Sequence, residues 1–263
     1  MTQRSVTNEV GKQTDKGDFD YLGLKEFRQF MTGEGDRRHR TTSFHRHLDV
    51  FRYMRESVMP DVESEKQFVE ALIIGAGLYR STALREYPQA RHRKWSYEAF
   101  HVAAMLEESR IRKAGGFDYQ LMIMDKDPVV VESLNRQTSV LVSPLMNGKY
   151  ASNLFAGSPR KSISATNSME LVRVPPAVKD RMNIEVGDII SSDIPQSDII
   201  FFLNVHQYIP DEARTIVSEK ILNALNKGGV LVTDDAVLCA LVQEKGLKRD
   251  PKTFEEDTVI YRG

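Results

Sequence analysis

Short apolar runs separated by polar turns mark most of the chain after residue 66. Residues 199–202 are apolar at all four positions, a run too short for a membrane helix and without the alternation of a strand that has one exposed face. Such a run predicts a strand buried on both faces, as in a parallel sheet covered by helices. Further strands are predicted at residues 71–74, 119–124, 182–186, 230–232 and 258–261, and helices at 97–112, beyond Pro128 and at 211–226. This alternation predicts an α/β fold with a doubly wound sheet.

The first 65 residues follow a different pattern. Residues 1–20 are polar and poor in large apolar side chains, which predicts a disordered tail. Two helical stripes follow, and Pro60 is predicted to end the second. The stripes comprise Leu24, Phe27, Phe30 and Met31, then Phe44, Leu48, Phe51, Met54 and Val58. We therefore predict a helical domain over residues 21–65 and an α/β domain over 66–263, within which residues 136–170 show no clear pattern.

Composition narrows the classes of function. The 263 residues carry a formal net charge of −1 and include one cysteine, so we expect neither general nucleic-acid binding nor a disulfide within the chain. No apolar run approaches the ~20 residues of a membrane helix, and a cytoplasmic protein without membrane insertion is expected. His39, His45 and His47 lack the further ligands that a metal centre needs, so no metal is expected.

Arginines concentrate in the predicted helical domain. A run of this kind is usually the solvated face of an amphipathic helix, and it also fits a docking surface for an acidic protein substrate. The arginines are Arg37, Arg38, Arg40, Arg46, Arg52 and Arg55.

Residues at the strand ends form the candidate ligand site, because ligands of parallel sheets bind beyond the carboxyl ends of the strands. Gly75 and Gly77 follow the first strand and let the backbone approach a ligand closely. A dinucleotide fingerprint would need a glycine where Arg80 stands, which disfavours a dinucleotide-dependent oxidoreductase. Asp125 can accept hydrogen bonds from both hydroxyls of a ribose, and Asp188 from an adenine amino group. Each aspartate also fits an ordinary helix start or turn.

The order of these features resembles the class I S-adenosylmethionine-dependent methyltransferases. Several segments are more specifically similar to motifs of the CheR-type chemoreceptor methyltransferases, among them residues 42–46 (TSFHR), 98–103 (EAFHVA), 124–127 (MDKD) and 202–208 (FLNVHQY). The resemblance spans roughly residues 22–263. It implies a Rossmann-like, doubly wound class I methyltransferase sheet behind a small all-helical N-terminal domain. That family can carry a small receptor-tethering β-subdomain, for which residues 140–170 show no clear three-strand pattern.

The resemblance also implies the cofactor and the residues of the site. S-adenosyl-L-methionine would be the methyl donor and S-adenosyl-L-homocysteine the product. Arg46 and Tyr208 would act at the methyl-transfer centre, where Arg46 could hold a cofactor or substrate carboxylate by a bidentate pair. Cofactor-binding roles are implied for Thr42, Arg46, Gly75, Gly77, Glu98, Asp125, Asp188, Ile189, Asn204 and Val205.

The implied reaction is methyl transfer to a protein glutamate. A sulfonium methyl is already activated and a carboxylate is ionised at neutral pH, so positioning and desolvation matter more than a base. A small-molecule or other protein acceptor is an alternative, favoured by Leu203 in place of an arginine and by the basic insertion before Glu98. His206 then fits either a base for a hydroxyl or amine acceptor or a structural loop residue. A further alternative is an inactive binding module that retains the fold.

Overall fold

The chain divides into two compact units, Met1–Arg46 with Arg80–Arg93 and His47–Tyr79 with Lys94–Gly263. In the first unit the short strands Lys12–Gln13 and Phe19–Asp20 pair antiparallel. The rest of the predicted tail and residues 21–47 of the predicted helical domain lie outside the described residues, and the predicted domain boundaries stay predictions. The computed structural model describes residues 12–13, 19–20, 48–77, 79–80, 94–95, 98–142, 160–162, 170–251 and 258–263.

A helical segment opens the second unit. Helix α1 (Leu48–Tyr53) continues through a π-helical stretch (Met54–Val58) into α2 (Met59–Glu65). The prediction that Pro60 ends this helix is wrong, because Pro60 lies in the first turn of α2. A proline is tolerated in a first turn because the N–H groups of that turn have no acceptor within the helix, so the absence of an N–H on Pro60 costs no hydrogen bond. The π-helical stretch before Pro60 changes the spacing of the backbone hydrogen bonds ahead of α2.

A seven-stranded sheet forms the centre of this unit, and the predicted α/β fold with a doubly wound sheet is confirmed. Its strands are β1 (Phe68–Ile74), β2 (Asp118–Asp125), β3 (Met182–Val186), β4 (Ser197–Phe202), β5 (Leu225–Thr233), β6 (Lys248–Arg249) and β7 (Val259–Arg262). Their order in the sheet is β3-β2-β1-β4-β5-β7-β6. Strands β3, β2, β1, β4 and β5 run parallel, and β7 is antiparallel to both β5 and β6.

Helices connect and cover the strands. They are α3 (Glu98–Arg112), α4 (Pro128–Arg136), α5 (Pro176–Lys179), α6 (Asp211–Ala224) and α7 (Ala236–Glu244). Asp127 caps α4 by accepting the N–H of Val129 at 2.8 Å, and Asp235 caps α7 by accepting the N–H of Leu238 at 2.8 Å. Neither α5 nor α7 is predicted from the sequence. Among the described residues, no helix is both long and apolar enough to cross a bilayer.

A second, three-stranded antiparallel sheet lies where the sequence shows no clear pattern. Glu170–Arg173 is its central strand and pairs with Ser139–Val142 on one side and Arg160–Ser162 on the other. Strands of three or four residues carry little alternation of their own, so pairing with distant partners decides whether they form. The region therefore does contain three strands, contrary to the sequence-based expectation.

Strand β4 lies at the centre of the core. All six of its residues are buried, which confirms the two-sided burial predicted from residues 199–202. The ring of Phe201 lies 5.9 Å from the ring of Phe51 in α1, so the helical segment packs on this strand. The predicted stripe residues Met54 and Val58 are likewise fully buried.

A buried carboxylate joins three strands at the amino end of the sheet. Asp198, 8% exposed at the start of β4, accepts hydrogen bonds from Lys66 Nζ, from the backbone N–H of Glu70 in β1 and from Asn226 Nδ2 in β5. Burial alone would raise the pKa of the Asp198 carboxyl, but the bonds from Lys66, Glu70 and Asn226 outweigh it and lower that pKa.

The lowered pKa makes the fold sensitive to acid. The stability that Asp198 contributes is present above the ordinary aspartate pKa of about 4 and is lost as the pH falls from there through the lowered folded value. We expect the free energy of unfolding of Asp198→Asn to vary less between pH 5 and pH 2.5 than that of wild type, measured by urea denaturation. Asp193→Asn, at an exposed position, is the control. Equal acid sensitivity of wild type and Asp198→Asn would contradict this prediction.

Candidate functional site

The order of the strands reverses next to β1, which creates a crevice at the carboxyl end of the sheet. The chain passes from β1 outward to β2 and β3, then returns to place β4 on the other side of β1. Ligands of open α/β sheets bind at such a switch point, beyond the carboxyl ends of the two central strands. Here the loops at that point are residues 75–77 after β1 and 203–208 after β4.

The two loops touch at Gly75. Its φ is +77°, and a Cβ atom there would lie 2.5 Å from Cγ2 of Val205. Glycine is therefore needed at this position both for the backbone conformation and for the approach of Val205. Gly77 also has a positive φ, +55°, but among the described residues a Cβ atom at Gly77 would meet nothing within 4 Å. The described part of the chain therefore leaves space next to the backbone of the turn.

Asp125 is tied to this glycine turn from the end of β2. Its side chain accepts the N–H of Gly77 at 3.1 Å on Oδ2 and the N–H of Asp127 at 2.9 Å on Oδ1. Burial raises the pKa of the Asp125 carboxyl, while the N–H groups of Asp127, Gly77 and Ala76 act in the opposite direction. A carboxylate offers about four lone-pair directions, so it can still accept hydroxyl donors from a ligand.

The turn after β3 carries Asp188 and Ile189. Asp188 Oδ1 accepts the N–H of Ile190 at 3.0 Å, so this side chain also stabilises its own turn. The side chain of Ile189 is 7% exposed and belongs to the main apolar core. Lys220 in α6 holds the turn by donating hydrogen bonds to the carbonyl oxygens of Ile189 at 2.9 Å and of Ser192 at 2.6 Å. Sequence reasoning missed Lys220, because nothing in its helix indicates a backbone partner.

The loop after β4 depends on an aspartate that sequence reasoning did not place in the site. Asn204 has a left-handed φ of +59°, and its N–H is accepted by both oxygens of Asp234, at 2.9 and 3.0 Å. Asp234 directly follows β5, the parallel neighbour of β4. Its carboxylate Oδ1 also lies 3.6 Å from Nδ1 of His206. The signal that could have identified Asp234 is its position at the carboxyl end of an apolar strand.

Two more of the predicted site residues lie on separate elements. Glu98 is the first residue of α3 and is half-buried, and Tyr208, 46% exposed, lies in the 3-10 helix His206–Tyr208. Thr42 and Arg46 lie outside the described residues. The structure thus brings Gly75 against Val205 and Gly77 against Asp125. Within the described ranges, no group of three or more His, Cys, Asp or Glu side chains is placed to hold a metal ion.

Comparison with known proteins gives similarity of structure but not of sequence. No protein-family model and no curated protein matches the chain. The chain is similar to the N-methyltransferase NodS of Bradyrhizobium japonicum in complex with S-adenosyl-L-homocysteine, at 12% identity and a TM-score of 0.41, over 90% of this chain and 96% of that one.

Two further solved structures are similar to the chain. One is a class I S-adenosylmethionine-dependent methyltransferase from Listeria monocytogenes, at 12% identity and a TM-score of 0.45, covering 86% of this chain and 63% of that one. The other is a family 2 O-methyltransferase from Planctomyces limnophilus in complex with apigenin, at 12% identity and a TM-score of 0.39, covering 81% and 61%. At these values the likeness concerns the fold at most and does not extend to the substrate.

The contact between Gly75 and Val205 makes a testable prediction. Gly77→Ala should cost about 1–2 kcal/mol of unfolding free energy, because a left-handed φ is strained for alanine. Gly75→Ala carries the same strain and a clash with Val205, so it should cost about 1–3 kcal/mol more. Adding Val205→Ala to Gly75→Ala should restore the unfolding free energy that the clash costs but not the part that the strained φ costs. A double-mutant cycle in urea measures this difference. Strictly additive single and double mutants would contradict this packing.

Proposed function

We propose that the chain is an S-adenosyl-L-methionine-dependent methyltransferase that binds its cofactor at the switch point between β1 and β4. The observation that carries this proposal is the link between Asp125 at the end of β2 and Gly77 in the turn after β1. A buried carboxylate beside an open glycine turn suits a ligand with two neighbouring hydroxyl groups and a polar chain, as an adenosine with an amino-acid side arm has.

Within this proposal each loop contacts one part of the cofactor. Asp125 accepts the ribose hydroxyls, and the turn with Asp188 and Ile189 lies beside the adenine. Gly75, Gly77, Glu98, Asn204 and Val205 surround the methionine end. The roles of Thr42 and Arg46 toward the cofactor, and those of Arg46 and Tyr208 in methyl transfer, rest on the family resemblance alone.

The acceptor has two candidate classes. The resemblance implies a protein glutamate, and the observation in favour of a protein partner is the three-stranded antiparallel sheet within residues 139–173. An acidic partner would also suit the predicted arginine surface, of which Arg52 is exposed while Arg55 donates to Glu56 at 2.6 Å. A hydroxyl or amine acceptor is the second class, and the observation in its favour is the buried carboxylate beside His206.

Cofactor binding tests the proposal directly. We expect wild type to bind S-adenosyl-L-homocysteine in isothermal titration calorimetry and Asp125→Ala to bind about 10- to 100-fold more weakly, because hydrogen bonds to a charged acceptor are lost. The matched control is Asp118→Ala, an aspartate at the other end of the same strand whose partner is Arg181 at 2.7 Å. The proposal fails if folded wild type does not bind, or if Asp125→Ala binds as tightly as Asp118→Ala.

The raised pKa of Asp125 predicts a pH dependence of binding. The ionised carboxylate is the form that accepts both ribose hydroxyls, and protonation sets in at a higher pH than for an ordinary aspartate, whose pKa is about 4. Affinity for S-adenosyl-L-homocysteine should therefore weaken progressively as the pH is lowered from 7 to 4.5. Asp125→Asn cannot ionise and should bind weakly with little pH dependence, so parallel curves for the two proteins would refute this assignment.

A further inference from the structure

We propose that His206, oriented by Asp234, is the general base that removes a proton from the methyl acceptor, which is therefore a hydroxyl or an amine. This inference rests on the proposed methyltransferase function and adds the chemical class of the acceptor. Its structural basis is the placement of one nitrogen of His206 against a buried carboxylate at the carboxyl end of β4, in the loop that meets the glycine turn.

The two edges of the His206 ring have different environments. Nδ1 has no solvent-exposed surface and, within the described part of the chain, no hydrogen-bond partner at ordinary distance. Asp234 Oδ1 lies 3.6 Å from it, longer than a hydrogen bond but within reach of a small loop movement. The side chain as a whole is 36% exposed, so its accessible surface belongs to the rest of the ring. One nitrogen thus faces an acid while the ring stays open to a ligand.

Asp234 is fixed in place before any substrate binds. Its side chain is 7% exposed, and both oxygens accept the N–H of Asn204. The left-handed φ of Asn204 reverses the chain there, which brings His206 over the same carboxylate two residues later. A base that is oriented by a third, immobile group is the arrangement by which proteins make a histidine accept a proton at its other nitrogen.

The chemistry separates the two acceptor classes. A carboxylate has no proton to lose, so a histidine–aspartate pair would serve no purpose in its methylation. A hydroxyl or amine attacks the cofactor methyl carbon with a lone pair, the carbon–sulfur bond breaks with its electron pair on sulfur, and the acceptor proton passes to Nε2 of His206. The products are the methylated acceptor, S-adenosyl-L-homocysteine and an imidazolium stabilised by Asp234. Water then takes up the proton.

The tautomer of His206 tests the arrangement without any acceptor. We expect ¹⁵N NMR of the 263-residue chain, with the His206 signals assigned by comparison with His206→Gln, to show the neutral ring protonated at Nδ1. Asp234→Asn, which still offers one oxygen to the N–H of Asn204, should shift the ring toward the Nε2-protonated form. A wild-type ring protonated at Nε2, or a ring unaffected by Asp234→Asn in a protein that stays folded by circular dichroism, would overturn the proposal.

Methyl transfer tests the consequence. Methyl-labelled cofactor is offered with three probe acceptors: a glutamate-rich peptide, catechol and a primary alkylamine. We expect label in an alkali-stable product, and turnover at least about 100-fold lower in His206→Gln with an unchanged dissociation constant for S-adenosyl-L-homocysteine. An alkali-labile ester as product, or normal turnover by His206→Gln, would overturn the inference.

The two proposals fail in different ways. Absence of S-adenosyl-L-homocysteine binding by folded wild type would remove the methyltransferase proposal, whatever the tautomer of His206. Binding combined with alkali-labile product would leave that proposal standing and remove the base. If none of the three probes is methylated, a His206 ring protonated at Nδ1 that responds to Asp234→Asn supports the inference, and a ring protonated at Nε2 overturns it.

Discussion

The packing of Val205 on the bare backbone of Gly75 is the contact on which the candidate site depends. Without it, the loops after β1 and β4 would be two independent turns at one edge of a sheet. Because a Cβ atom at Gly75 would lie only 2.5 Å from the valine, the approach is possible for glycine alone. The contact fixes the distance between the loops after β1 and β4, which carry residues of the proposed cofactor and acceptor sites.

Buried carboxylates bind backbone N–H groups at both ends of the sheet, with different consequences. Asp198 at the amino end is matched by Lys66 and Asn226, so its charge stabilises the fold. Asp125 at the carboxyl end accepts only N–H groups among its described hydrogen bonds, and its pKa is raised by burial. An ionised group that the fold does not fully stabilise retains capacity to bind a ligand. Asp125 therefore keeps such capacity at the carboxyl end of the sheet.

The proposed protein docking and the proposed acceptor chemistry rest on separate parts of the chain. The three-stranded sheet within residues 139–173 is a feature that suits a protein partner, whereas the role proposed for His206 and Asp234 concerns only the atom that would receive the methyl group. A protein with a reactive hydroxyl or amine would satisfy both. The CheR-type resemblance therefore bears on the proposed cofactor site more than on the proposed reaction, since Leu203, in place of that family's arginine, is 1% exposed and adds no charge to the crevice.

Six of the seven strands of the central sheet and most helices could be predicted from the sequence because their signals are local, whereas the two-residue strand β6 could not. Residues 199–202 predict a strand buried on both faces. Asp125 and Asp188 lie at the ends of strands that are recognisable from their apolar runs. The sequence alone does not decide the role of Pro60, because a proline can mark the end of one helix or stand in the first turn of the next. The short strands around Glu170–Arg173 could not be predicted, because they form only by pairing with segments that are about ten to thirty residues away in the chain.

The sequence by itself thus determined the fold class and the order in which strands and the polar residues after them follow along the chain. It also determined the candidate site residues within each single loop. Only the tertiary structure decided which of them meet. Asp234 stands 28 residues after His206 in the chain, a separation without any periodic signal, yet β4 and β5 are parallel neighbours and bring the two to one edge. Strand pairing brings residues that are far apart in the chain into contact, and no local sequence pattern shows which strands will pair.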